Sequence, residues 1–306
     1  MFDVISIGSA TVDIFVKSAE FRLQGNSLTI PASSKSEMIQ GFIQSGGGAT
    51  NSSTSFCRLN LKSACLSLLG NDPLGLYIVN DLNKYQVNTD LLVRLEKEST
   101  DYSVILIATD GSRSIISNRG ATHLETTQIN WDKIVDTDWL YITSLEGNLD
   151  LLETLVGFAN EHSIKIALNP GNRELSESIR LVPLLSHIEF LLLNKVESET
   201  LTGIEINQPN YWEKLLSYGP RITAITNGRE GAYVLSSSEK LFSPIINTRP
   251  VDETGAGDAF GSAFVSGLIH HLSLTDALFW GVKNSASVVS SLGAKSGLLN
   301  LQEIKS

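Results

Sequence analysis

Short apolar runs separated by longer amphipathic stretches recur along the chain. Residues 4–8, VISIG, form a largely apolar run that breaks at Gly8-Ser9. A strand buried on both faces reads this way and delivers its C-terminal end to a loop, where α/β ligand sites lie. The runs WLYITSL, IKIALNP, FLLLN and ITAITNG repeat the pattern, and residues 149–162, 179–185 and 197–201 between them carry helical spacing. Alternation on this scale predicts βαβ units around a mostly parallel sheet. Helical spacing is also present over residues 49–61 and 259–270.

Two stretches fall outside this rhythm. After Ser9 the chain is polar and Ser-rich to about residue 44, with short alternating segments. Further on, YSVILIA and RSIIS flank Asp110-Gly111, which predicts a β-hairpin with a type I′ turn, both central residues taking positive φ. The expected organisation is one α/β body of residues 1–10, 46–95 and 120–306, with β-rich inserts at 11–45 and 96–119 meeting as a lid. Neither an internal repeat nor a Pro-, Gly- or Ser-rich linker divides the chain.

Composition narrows the partners. At 306 residues, 42% hydrophobic and 18% charged, the chain can bury a large core. Its net charge of −10 disfavours nucleic acid and anionic lipid, whose binding rests on neutralising phosphates. A nucleotide stays possible, because local backbone N–H groups hold phosphates whatever the global charge. Cys57 and Cys65 form no CxxC and have no histidine cluster beside them, so neither a disulfide framework nor a zinc site is expected. The opening MFDVISIG is not a signal-peptide pattern and no apolar run reaches membrane-spanning length, so the expected location is cytoplasmic, with no membrane partner.

The chemistry concentrates in DETGAGDAFGSAF, residues 252–264. Small residues Gly255, Ala256 and Gly257 precede a helical segment, whose first N–H groups and positive dipole end suit a phosphate or a transferring phosphoryl group. Asp258 beside such a cradle repels an anion unless it has another task. Accepting the proton of an attacking hydroxyl is one; capping the helix is the other, and the motif alone leaves both open.

This run resembles the signature DTxGxGDxFxxxF of the ribokinase (PfkB) family of carbohydrate and nucleoside kinases, matched by Asp252, Thr254, Gly255, Gly257, Asp258, Phe260 and Phe264. The resemblance extends over nearly the whole chain. It implies a ribokinase-like three-layer α/β sandwich with a mostly parallel central sheet and a small β lid. It also implies an ATP-dependent kinase with Asp258 as base.

Further landmarks follow in family order. Asp13, five residues after Gly8, matches an Asp that holds sugar hydroxyls, although a turn or cap role fits it too. Gly46-Gly47-Gly48-Ala49-Thr50-Asn51 is similar to the sugar-gripping GGxxxN loop, with Gly48 where ribokinases carry Lys; the bland reading is a loop leading into a helix. Glu146 sits where relatives hang a Glu near substrate, and an exposed loop acid is its alternative. Asn194 and Glu197 match NxxE, in which Glu orders the water shell of Mg2+. Thr226, Asn227, Gly228 and Gly231 resemble the TxGxxG turn against ATP phosphates, and Asn284 is expected near the adenine.

In members activated by K+, residues matching Asp252 and Thr254 supply oxygens to the ion, and carbonyls near Ser290, Gly293 and Lys295 would complete that site. Family lid sheets pair across a homodimer. Neither the dinucleotide fingerprint GxGxxG after the first strand nor GxxxxGK[ST] is present. The expected acceptor is a sugar-like molecule. A nucleoside acceptor, or a catalytically silent binding relative, is the alternative.

Overall fold

An eight-stranded sheet runs through the body in the computed structural model, which describes every residue except Ser34, in the first expected insert, and Thr122, in the expected body. From one edge, its strands are Lys240–Ser243, Ala232–Ser236, Ile222–Thr226, Phe190–Asn194, Lys165–Leu168, Thr137–Ile142, Phe2–Ile7 and Ser63–Leu66. The six from Ile222–Thr226 onward pair in parallel, and the last two at the first edge are antiparallel.

Side chains alternate across this sheet into two cores. Ile5, Ile7, Leu140, Ile142, Leu191 and Leu193 pack with helix residues Leu152, Leu155 and Leu181 on one face. Val4, Trp139, Tyr141, Phe190 and Leu192 meet Phe260 and Phe264 on the other. Period-two alternation in strands buried on both sides therefore makes a helix–sheet–helix sandwich. Full burial of each such Leu, Ile or Phe contributes about 1.5–3 kcal/mol.

A second, four-stranded sheet holds Arg113–Asn118, Asp101–Ile107, Thr11–Lys17 and Gln40–Gly46 in that order. Thr11–Lys17 continues from the first body strand after the break at Gly8-Ser9, and Gln40–Gly46 leads straight into the helix Gly48–Arg58. The lid and the body's ligand-bearing edge are thus covalently continuous. The hairpin at Asp110-Gly111 forms, but not with the expected I′ turn. Only Gly111 takes positive φ, at 90°, while the Asp110 carboxylate accepts the Ser112 amide at 2.9 Å. Residues 108–112 make a wider connection that such a side-chain bond can close without a second left-handed residue.

Two helices cross behind the site. Gly48–Arg58 buries Thr50, Ser52, Ser53, Thr54 and Ser55, and Ala256–Ile269 buries Ser262 and Ser266. Thr50 and Ser52 hydroxyls bond back to the carbonyls of Gly46 and Gly48, and Ser262 to that of Asp258. Self-satisfied small hydroxyls let the helices approach closely, although the Thr54 hydroxyl is buried without a partner among the described residues.

Candidate active site

The helix Ala256–Ile269 begins at Gly255, its N-cap, with φ 77°. A Cβ there would stand 2.8 Å from Ala294 Cα, so backbone conformation and space both require glycine. The Gly257 and Asp258 amides open the first turn without intrahelical partners. Ala256, expected as a third donor, instead gives its N–H to the Glu253 carbonyl at 3.2 Å. The cradle is narrower than the motif suggests, because the preceding turn closes on itself.

Asp258 is the third residue of the helix, not its cap, and makes no capping bond. Its Oδ2 accepts Asn51 Nδ2 at 2.9 Å, across 207 residues of sequence. Burial pushes its pKa up to about 6, against the opposing effects of the Asn51 bond and the charge of Lys295. Asn51 Oδ1 is buried with no hydrogen-bond partner among the described residues. A buried acceptor left unpaired costs about 1–3 kcal/mol. Asp258 also raises the pKa of Tyr141, whose hydroxyl lies buried behind it, although burial is the larger cause.

Asp13, in the lid strand Thr11–Lys17, faces Gln44 and Ser103 across the sheet. Burial raises its pKa to about 6; Lys295 lowers it and Asp252 raises it further. Gly46 makes room for this carboxylate. At Gly47, φ is 93° and a Cβ would lie 2.5 Å from the Ser9 carbonyl oxygen. At Gly48 a side chain would collide with Thr143, so the position where ribokinases carry Lys has no space for one.

A lysine is nevertheless present, from the other end of the chain. Lys295 is only 1% exposed; its Nζ donates to Ser45 Oγ and lies 3.4 Å from Asp81 Oδ2, while Ser45 donates to Asp81 at 2.5 Å. Burial lowers its pKa to about 8, with Asp81, Cys65 and Asp13 pulling it back up. The sequence pattern points only to backbone carbonyls in this region; no local pattern reports a side chain 250 residues from its partner.

A cleft of about 510 Å³ opens at the same helix start, bordered by Asn194, Thr226, Gly228, Gly231, Gly257 and Ala286 among others. Asn194 and Thr226 end neighbouring parallel strands and pair directly. Glu197 and Asn194 form a capping box: Asn194 Oδ1 accepts the Glu197 amide at 2.9 Å, and Glu197 Oε2 accepts the Asn194 amide at 2.8 Å. Burial raises the Glu197 pKa, partly offset by that bond.

Four expected residues lie elsewhere or are already engaged. Asn284 is fully buried, donating to the Ala259 carbonyl at 2.9 Å and accepting the Leu299 amide at 2.9 Å. It points into the core, and Val282, Ser285, Ala286 and Val289 of the same helix border the cleft instead. The Asn227 amide turns to Glu230 at 2.6 Å and borders the adjacent hollow. Glu146, with φ 57°, is held between Arg119 at 3.3 Å and Arg173 at 3.2 Å, and no hydrogen bond among the described residues joins it to Asp13, Asn51 or Asp258.

Asp252, expected with Thr254 as a cation ligand, carries no free charge. Its Oδ1 accepts Arg113 Nη1 at 2.7 Å, Thr254 Oγ1 at 2.7 Å and the Thr254 amide at 3.1 Å, and its Oδ2 accepts the Gly293 amide at 3.0 Å. Burial opposes ionisation, but these bonds prevail and hold its pKa below the usual range.

Known proteins resemble this chain in sequence and fold. The chain is 30% identical over 274 residues to a ribokinase of Schizosaccharomyces pombe, covering 85% of each chain. It is 25% identical to a Staphylococcus aureus ribokinase over 98% of both. The structure of Arabidopsis thaliana ribokinase complexed with ribose and ATP superposes with a TM-score of 0.83 at 20% identity, over 99% of this chain and 97% of that one. The model of the pfkB family carbohydrate kinases matches residues 1–300, nearly the whole sequence, and the chain therefore belongs to that family of carbohydrate kinases.

Proposed function

We propose that this kinase moves the γ-phosphoryl group of ATP to a hydroxymethyl group of a sugar or sugar derivative, with Asp258 as general base. The observation that carries the reading is the Asn51–Asp258 pair at 2.9 Å, beside an unpartnered Asn51 oxygen and at the start of a helix with open amides. Asp258 takes the hydroxyl proton as the acceptor oxygen bonds to phosphorus. The bond from the γ-phosphorus to its bridging oxygen breaks, and ADP leaves with the electron pair. The amides of Gly257 and Asp258 stabilise the charge on the group in transit.

ATP would lie in the cleft between Asn194, the turn around Gly228 and Gly231, and the helix face at Ala286. Glu197 suits a water-mediated Mg2+, since among the described residues its carboxylate is engaged only through Oε2. That ion would neutralise phosphate charge. Asp13 and Asn51 would hold the acceptor's other hydroxyls, and the lid would exclude water. A homodimer through the lid is favoured by exposed Ile39, Ile43 and Ile116 on or beside that sheet.

An ADP-release screen over sugars, sugar acids, sugar phosphates and nucleosides tests the reading. Turnover with a sugar or sugar derivative is expected. A response to nucleosides alone overturns the acceptor class, and none with any acceptor overturns catalysis.

A further inference from the structure

A buried carboxylate beside an anion hole must be neutralised, or it works against the negative charge being transferred. Asp252 is 2% exposed and stands six residues before Asp258. It clasps the turn that precedes the helix: Thr254 binds one oxygen through its amide and hydroxyl, and Gly293 binds the other. Gly255 packs against Ala294 in that same loop, so the carboxylate fixes both sides of the anion-hole turn.

The neutralising charge comes from the lid. Arg113 is the first residue of the lid strand Arg113–Asn118, and its guanidinium meets Asp252 at 2.7 Å across 139 residues of sequence. Four donors thus converge on a carboxylate that has roughly four lone-pair sites. A monovalent cation seated on these oxygens would have to displace a permanently charged guanidinium. Lid residues Phe15, Phe42, Ile107 and Arg113 border a hollow with Val251 and Asp252, so the ion pair spans the junction of lid and body.

We propose that Arg113 takes the place of an activating monovalent cation beside the anion hole. The kinase therefore works without K+, and closure of the lid, not ion binding, orders the turn before Asp258. Arg113 is a positioning residue acting through Asp252. This rests on the phosphotransfer reading above, and the experiment separates the two.

Initial rates with the best acceptor are compared in KCl and in choline chloride at equal ionic strength, for the native chain, Arg113→Ala and Arg113→Lys. Thermal melting is followed in both salts. The native rate and melting temperature are expected to be the same in the two salts. Arg113→Ala should lose roughly tenfold to a hundredfold in kcat with little change in KM for ATP, as expected when a reacting geometry loosens. K+ should restore part of that loss and raise the variant's melting temperature, and Arg113→Lys should retain most of the rate. Stimulation of the native chain by K+, a K+-dependent rise in its melting temperature, or an unaltered kcat in Arg113→Ala overturns the proposal. Failure of the phosphotransfer reading would show instead as no ADP release by the native chain in either salt, and the melting comparison still decides cation binding. If Arg113→Ala does not fold, the native comparison and Arg113→Lys decide.

Discussion

The cleft and the charged cluster beside it are built from different materials. On the proposed donor side stand strand ends, glycine turns and one helix face: Asn194, Gly228, Gly231, Val282, Ser285 and Ala286. In the capping box beside it, burial raises the Glu197 pKa. The acceptor side gathers Asp13, Asp258 and Lys295, all displaced by burial. On the proposed function, shape and backbone suffice to hold a nucleotide, whose phosphates and base are the same in every turnover. Moving a proton from a hydroxyl needs charges whose strength is set by removing water around them.

The largest break in this contrast is expected from Asp258→Asn. Turnover should fall roughly 10²- to 10⁴-fold, the usual contribution of a positioned base, while nucleotide affinity measured by calorimetry stays close to that of the parent. Unchanged turnover would show that the charged cluster is structural only.

A paired test separates the two faces of the helix Leu274–Val289. Asn284→Ala removes bonds to Ala259 and Leu299 in the core and should lower stability by about 1–3 kcal/mol in denaturant melts, leaving KM for ATP intact. Ala286→Trp fills the cleft and should raise KM for ATP about tenfold, some 1.4 kcal/mol, with kcat preserved, because it removes binding common to ground and transition states. The reverse pattern would put the helix in the other phase.

The smallest effect sharpens the charged cluster. Asp258 must be ionised to act, so kcat/KM should fall as pH drops through about 6. Lys295 lowers the pKa of both Asp258 and Asp13. Lys295→Met removes that attraction and should move the acid limb upward, by less than about one pH unit for a neighbour that is not the dominant influence. An acid limb that stays put would mean the lysine serves only Ser45 and Asp81.

The motif-bearing residues of both regions, Asn194, Thr226, Gly228, Gly231, Asp13 and Asp258, are legible in the order of the motifs along the chain. Gly255 and Gly47 stand out because they fall in glycine motifs, and left-handed or crowded backbone admits little else there, and Asn194 with Glu197 because they match NxxE, which the structure folds as a capping box. The strand runs announce a parallel sheet, since burial on both faces leaves an uninterrupted apolar record. Arg113, by contrast, reads like any exposed hairpin residue, and Ile245 and Ile246, which border the donor cleft, follow no motif.

The sequence by itself determined the fold class and the family signature, because those rest on period, glycine and the order of short motifs. Tertiary structure decided that Asp258 meets Asn51, that Asp252 is matched by Arg113 and that Lys295 charges a cup it approaches from the far end of the chain. It also decided that Asn284 faces the core while Ala286 faces the cleft. Periodicity gives a helix its apolar face, but which residues border a ligand depends on how that helix is turned against its neighbours, and packing alone sets that angle.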